Sequence, residues 1–181
     1  TDPVRNEDGS FYWQSSNHRL SNNMFNPAAL LEMNYNKAQT ARVFANFKAE
    51  YDIWKNIKYT LVFAPEFINI EEDQYWNPQH GDGYGYGGYQ KSGTNRYFNF
   101  NVQNIVSWNQ KFDLHNVGVS LIQEAYKSDQ KFLNAGGYNV GSPDLETLSN
   151  FVVPGGYGGS RGITSRWGYA ATAHYDYDKL I

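Results

Sequence analysis

Residues 40–52 read TARVFANFKAEYD, and this stretch decides the fold. Ala41, Val43, Ala45, Phe47, Ala49 and Tyr51 fall on one side. Arg42, Asn46, Lys48, Glu50 and Asp52 fall on the other, with Phe44 the one apolar residue among them. A period of two is that of a β-strand, whose successive side chains point to opposite faces. The run is about twice the usual globular strand of about 5–6 residues and close to the roughly 9–11 that a tilted strand needs to cross a bilayer. Length, more than alternation, points to a membrane.

Working outward, the pattern returns. In 96–110, Phe98, Phe100, Val102, Val106 and Trp108 oppose Asn99, Asn101, Gln103 and Ser107; in 114–126, Val117, Val119 and Leu121 oppose Asn116, Ser120 and Glu124. In 165–177, Trp167, Tyr169, Ala171, Ala173, Tyr175 and Tyr177 oppose Arg166, Thr172, His174 and Asp176. The weakest copy is 58–68, where Tyr59, Leu61, Phe63 and Phe67 alternate but Val62 and Ala64 blur the polar side. Pro65 lacks an N–H for the ladder, which predicts a bulge or an early strand end there. Asn104 falls on its strand's apolar face, so either a bulge passes the outward position to Ile105 or the amide sits at an interface.

The connections are as informative as the strands. Between 52 and 58 lies only IWKNI, between 110 and 114 only KFD, and after Tyr177 only DKLI; the stretches 1–39, 69–95 and 127–164 are long. Short and long connections alternate, as in an outer-membrane barrel with tight periplasmic turns and extended extracellular loops. A compact soluble domain rarely repeats loops beyond about 12–15 residues. Aromatics gather at both strand ends: Tyr51, Trp54, Tyr59, Trp108, Phe112, Tyr175 and Tyr177 near the short turns, and Phe67, Tyr97, Phe98, Tyr126, Trp167 and Tyr169 near the loops. Such girdles suit the membrane interface, where a ring sits in hydrocarbon and its polar tip reaches headgroups.

A mean hydropathy of −0.67 argues against a helical membrane protein, and no apolar run approaches the roughly 18 residues that a spanning helix needs. A barrel escapes hydropathy because half of each strand is polar. The absence of Cys excludes a disulfide scaffold and thiolate metal sites. Thr1 is no initiator, and Leu180-Ile181 fall where a further strand should begin, so a fragment is expected. Five strands do not close a barrel, since single-chain bacterial barrels use an even number from about 8 upward. The predicted class is therefore all-β: residues 1–181 form a partial antiparallel transmembrane β-barrel, with the remaining strands in the rest of a larger chain.

The order of short motifs strengthens this. Asp8-Gly9, then Asn26-Pro27-Ala28-Ala29-Leu30, then Arg42 opening a strand that ends in Glu50-Tyr51, resembles the middle of the barrel in SusC/RagA-type TonB-dependent transporters of Bacteroidetes. His115-Asn116 after a short turn and Ser165-Arg166 leading into Tyr175-Asp176-Tyr177-Asp178-Lys179 continue the similarity in the same order, over nearly the whole chain. The resemblance implies an outer-membrane barrel that imports a large nutrient, a glycan or peptide. It implies as partners a SusD-like surface lipoprotein acting as a lid and TonB with ExbB and ExbD supplying energy, through a plug domain and a TonB-contacting segment outside these residues. It implies binding and passage, no catalysis and no cofactor.

For substrate contact the candidates are Tyr75, Trp76, Tyr84, Tyr86 and Tyr89, aromatic residues among glycines in one connection, with Asn77, Gln79 and Asp82 nearby for hydroxyl groups. Flat rings stack on sugars; the competing reading is that they pack the loops or the lid. Tyr138, Tyr157 and Arg161 share that ambiguity. The glycine runs at 81–88 and 155–162 lack the context of a phosphate loop or repeated RNA-binding tract in an acidic chain, so no nucleic-acid partner is expected. His18, His80, His115 and His174 lack metal-ligand spacing, and Glu71, Glu72, Asp73 and Asp82 would gather a calcium ion only if their loop folded back. The competing class is a secreted, aromatic-rich β-sandwich that binds carbohydrate, because soluble strands also carry one apolar face.

Overall fold

The computed structural model describes residues 4–13, 19–21, 24–142 and 145–177. His18 and the Asp178-Lys179 end of the last motif lie outside the described residues. In chain order the elements are β1 (Arg19–Ser21), β2 (Met24–Phe25), α1 (Pro27–Met33), β3 (Tyr35–Phe44), β4 (Phe47–Trp54), β5 (Ile57–Trp76), a 3-10 helix (Gly81–Tyr86), β6 (Tyr89–Phe112), β7 (His115–Val140), a short 3-10 turn (Leu148–Asn150) and β8 (Phe151–Tyr177). The main sheet runs β3-β5-β6-β7-β8, with β4 also on β5. Among the described residues it is open, its edges being β3/β4 and β8. The all-β, antiparallel class read from alternation is the class observed, and no described helix is long and apolar enough to cross a membrane.

The ladders continue beyond the alternation. β5, β6, β7 and β8 have 20, 24, 26 and 27 residues. Much of the stretches 69–95 and 127–164, expected as loops, is therefore paired strand, leaving 77–88 and 141–150 as the connections. Cross-strand pairing of polar residues carries it: Ser92 donates to Asp73 at 2.6 Å, and Trp76 meets Tyr89 with ring centroids 5.1 Å apart. The 40–52 run is interrupted at Ala45-Asn46, between β3 and β4. This accounts for Pro65: β5 passes through it unbroken, its carbonyl accepts from the Ala45 N–H at 3.1 Å, and the irregularity falls on the neighbouring strand instead.

The chain divides into two compact units: 1–40, 70–95 and 131–160 form one, and 41–69, 96–130 and 161–181 the other. The second unit holds the two-residue turns Lys55-Asn56 and Asp113-Leu114; Asp113 takes φ 53°, a left-handed conformation that Asp tolerates better than most residues. Its faces are separated by a steady register. Phe47, Ala49 and Tyr51 pair with Phe63, Leu61 and Tyr59, while Lys48, Glu50 and Asp52 pair with Val62, Thr60 and Lys58. A register shift between Asp52 and Trp54 sets Trp54 opposite Ile57, moving its ring to the apolar side. From β5 to β6 the apolar face continues through Phe63 and Phe100, 6.3 Å apart, and the polar face through Glu66, which accepts from Arg42 at 2.8 Å and Asn99 at 3.0 Å. From β6 to β7 the polar face continues through Asn101–Glu124 at 2.7 Å and Ser107–Ser120 at 2.9 Å.

Asn104 shares the parity of Phe100 and Val102 on β6, and its amide is paired. It accepts from the Tyr59 hydroxyl at 2.6 Å and donates to Gln123 at 2.5 Å, eight residues along β7 from its start at His115. Beside the short turn itself, His115 meets the Tyr175 hydroxyl at 2.6 Å. Two expected girdle residues face the other way: Tyr97 accepts from Gln130 at 3.1 Å on the polar side, and Tyr126 shares the parity of Glu124. On that side His174 lies over Gly118, where a Cβ would come 1.8 Å from the imidazole Cε1, so only glycine fits that ring position.

The first unit is organised by Asn26. Its carboxamide oxygen caps α1 by accepting from Ala28 and Ala29 N–H, Pro27 occupies the first helical position, and Ala, Leu and Met complete the turn. Its amide nitrogen donates to the carbonyls of Val4 at 2.6 Å and Tyr12 at 3.2 Å. Fully buried, one side chain therefore holds a helix start and the N-terminal segment together. Asn26→Ala should weaken α1 locally by about 0.5–2 kcal/mol, the range of lost N-caps. Hydrogen exchange should read this as faster exchange of the α1 amides with little change in β6 and β7.

Candidate functional site

The five aromatic candidates lie in the first unit but play different parts. Tyr75, 3% exposed, stacks on Tyr35 at 5.5 Å and meets Phe151 edge-on at 6.3 Å. It packs and offers no free face. Trp76 and Tyr89 are half-buried against each other, and Tyr89 meets Tyr138 at 4.9 Å, which meets Tyr86 at 5.2 Å. Trp76, Tyr89, Tyr138 and Tyr86 thus form a row of four rings ending at Tyr86, 56% exposed; Tyr84 is 50% exposed on the same 3-10 helix. The structure brings in Tyr138 from β7, a contact that only the sheet topology supplies.

The 3-10 helix that carries Tyr84 and Tyr86 is set by amides and glycine. Asn77, 3% exposed, donates to Asn34 at 2.6 Å, and its oxygen accepts from Gln79 N–H at 2.8 Å and His80 N–H at 2.7 Å. Asn77 is thus committed to holding the turn and not to a ligand hydroxyl; Asp82 stays exposed. At Gly83 a Cβ would lie 2.4 Å from the Asn77 carbonyl oxygen, so the backbone approach excludes any larger residue. His80, fully buried, lies 4.5 Å from the Trp13 ring and 5.4 Å from Phe25, its Nε2 3.3 Å from the Asn26 carbonyl. Nothing in the sequence spacing of this histidine signals a core position.

Glu71, Glu72 and Asp73 lie along β5, where neighbours alternate between faces, so the strand does not fold back to gather them. Among the described residues no group of three metal-ligating side chains occurs. A cavity of about 180 Å³ in the first unit is lined by Asn36, Glu72, Gln74, Lys91, Gly93, Phe132 and Asn134. Tyr157, 92% exposed, stands apart from the ring row.

With the geometry established, the chain can be compared with known proteins. No protein-family model matches it, and no curated protein does. Among solved structures it is similar to the RagAB peptide transporter, with a TM-score of 0.78 and 14% identity over 96% of this chain. It is also similar to the RagAB peptide importer in its closed-closed state (TM-score 0.75, 14% identity) and its open-open state (TM-score 0.76, 14% identity). The chain spans 20%, 20% and 19% of those chains, respectively. At that identity the likeness is one of fold: an open antiparallel sheet consistent with a segment of a β-barrel.

Burial raises the phenol pKa of Tyr35, Tyr75 and Tyr89 above the ordinary 10.0, with Glu146 adding to it at Tyr35 and Tyr75. A raised pKa means the folded unit favours the protonated phenol. This stabilising contribution is complete below about pH 10 and is lost as pH climbs through the raised values. Phenolate absorbance should therefore show a late-titrating fraction accompanied by loss of near-ultraviolet dichroism, and Tyr75→Phe should shrink that fraction. Titration of every tyrosine together near pH 10 would contradict the packing.

Proposed function

We propose that this chain is wall and surface-loop structure of a TonB-dependent, SusC/RagA-type importer in the bacterial outer membrane. The observation that carries this is the apolar face of the second unit. Val43, Phe47, Leu121, Trp167 and Tyr169 are exposed on it, and by strand parity it bears no Asp, Glu, Lys or Arg from the short turns up to Arg96, Lys127, Asp129 and Arg161. So large an exposed apolar surface is rare on a soluble protein and is the lipid face of a barrel strand. From His115 to Lys127, at about 3.3 Å per residue, the strand covers roughly 40 Å. At a barrel tilt of about 35–45° this is about 30 Å of height, the thickness of a hydrocarbon core. A secreted sandwich would cover that face with a second sheet; among the described residues the only other sheet is the β1-β2 pair.

In this reading the polar face lines the barrel interior, the two-residue turns are periplasmic and the connection at 77–88 is extracellular. The cargo is a large nutrient, glycan or peptide, and the likeness to a peptide transporter favours a peptide. A SusD-like lipoprotein caps the barrel, and TonB with ExbB and ExbD energises it through parts outside these residues. Tyr84 and Tyr86, with the row behind them, present rings to cargo or lid.

Arginine at Phe47 or Ala171 should impair assembly, since a charge on the lipid face at mid-bilayer costs about 2–4 kcal/mol, whereas arginine at Asn46 or Thr172 should be tolerated. Comparable losses of folded protein from both pairs would reverse the face assignment. An epitope inserted at Asp82 should be labelled on intact cells, and one at Lys55-Asn56 only after the outer membrane is breached. For cargo contact, replacing Trp76, Tyr84 and Tyr86 together by alanine should lower uptake at unchanged barrel abundance. Reduced co-purification of the lipoprotein would instead assign the rings to the lid, and normal uptake with normal lid binding would discard them as a site.

A further inference from the structure

Where the charge-free face of the second unit ends, charges appear together. The Arg161 guanidinium donates from Nε to one Asp129 oxygen at 2.9 Å and from a terminal nitrogen to the other at 2.5 Å. Asp129 shares the parity of Leu121 on β7, and Arg161 that of Trp167 and Tyr169 on β8, so this two-point ion pair stands on the outward face. Lys127 and Arg96 share that face by parity: Lys127 precedes Asp129 by two residues, and Arg96 precedes Phe98 by two on β6. Both are exposed. The hydrogen bonds from Arg161 hold the Asp129 carboxyl below its ordinary range, and the charges of Arg161, Lys127 and Arg96 act in the same direction, so all three cations lie within electrostatic reach of it. By parity this end of the face carries three cations and one carboxylate, a local excess of positive charge in a chain whose net charge is −3.

On the membrane reading above, on which this step rests, the cluster sits about one hydrocarbon thickness above the periplasmic turns, at headgroup level. Two residues along β8 from Arg161 stands Ile163, 56% exposed, and Trp167 and Tyr169, 77% and 76% exposed, continue the apolar face below it. We propose that Arg96, Lys127 and Arg161 form a binding site for the phosphate group of a lipid headgroup in the outer leaflet. Arg161, anchored by Asp129 through Nε and one terminal nitrogen, keeps its second terminal nitrogen for the phosphate; Arg96 and Lys127 supply the flanking charge, and the acyl chains lie along the apolar face below. Guanidinium recognises phosphate by its planar donor fork, and lysine adds a point charge.

The test uses the intact protein that carries this chain, in micelles and vesicles containing equal amounts of phosphatidic acid and phosphatidylcholine, with retained lipid counted by native mass spectrometry. Phosphatidic acid should be retained preferentially. Lys127→Gln should reduce that preference about fivefold, as expected for one cation at a membrane surface, and Arg96→Gln with Arg161→Gln should abolish it while heat-modifiable migration of the barrel is kept. Lys48→Gln, which removes a cation from the polar face, should leave the preference intact; an equal loss there would reduce the effect to net charge and overturn the site. Displacement of the lipid by inorganic phosphate alone would assign the cluster to a soluble anion and overturn the headgroup reading. A wild-type protein that inserts into phosphatidylcholine vesicles but shows no preference refutes this site alone; one that does not insert refutes the membrane reading with it.

Discussion

A steady antiparallel register is the constraint on which the rest depends. Because side chains alternate with a period of two, one slipped residue would move every apolar side chain of a strand to the polar face. From β5 to β8 the contacts allow no such slip: Phe63 finds Phe100, Asn101 finds Glu124, Ser107 finds Ser120 and His115 finds Tyr175. The interruption at Ala45-Asn46 and the register shift between Asp52 and Trp54 both sit on the edge strands β3 and β4, where an irregularity disturbs a single neighbour. Regularity in the middle and irregularity at the margin keep the two chemistries of the sheet apart.

The first unit solves a different problem. It has little apolar volume to bury, with Ala29, Tyr75 and Phe151 as its buried hydrophobic residues among those described. Order comes instead from two carboxamides that each satisfy several backbone groups. Asn26 joins the N-terminal segment to α1; Asn77 joins the helix C-cap residue Asn34 to the turn that presents Tyr84 and Tyr86. Buried amides with all their partners are directional in a way that apolar contacts are not, and they fix the exposed rings in place without a large core.

What the sequence discloses follows from where the environment is two-sided. In 40–52 or 165–177 one face is apolar and the other polar, so the strand writes its period into the residue order. In 71–74 and 90–95 both faces are polar or small, and the ladder is held by backbone bonds common to every sequence; strand and loop look alike there. The aromatic residues around 75–89 were visible as a group, but their roles were not. Tyr75 is separated from Tyr86 by its partners, Tyr35 and Phe151, which are distant in the chain and near only through pairing. Likewise, a buried His80 or Asn26 has the same one-letter identity as an exposed one.

The Tyr59–Asn104–Gln123 trio has a consequence for how β5, β6 and β7 choose among themselves. Sliding a strand by two residues preserves both faces, so hydrophobicity alone ranks such arrangements as near equals. Three polar groups on an otherwise apolar face break that degeneracy: in the observed alignment they satisfy one another, whereas in an alignment displaced by two each would meet hydrocarbon side chains with a hydrogen bond unmade. Residues that look like blemishes in the pattern act as the alignment marks of the sheet.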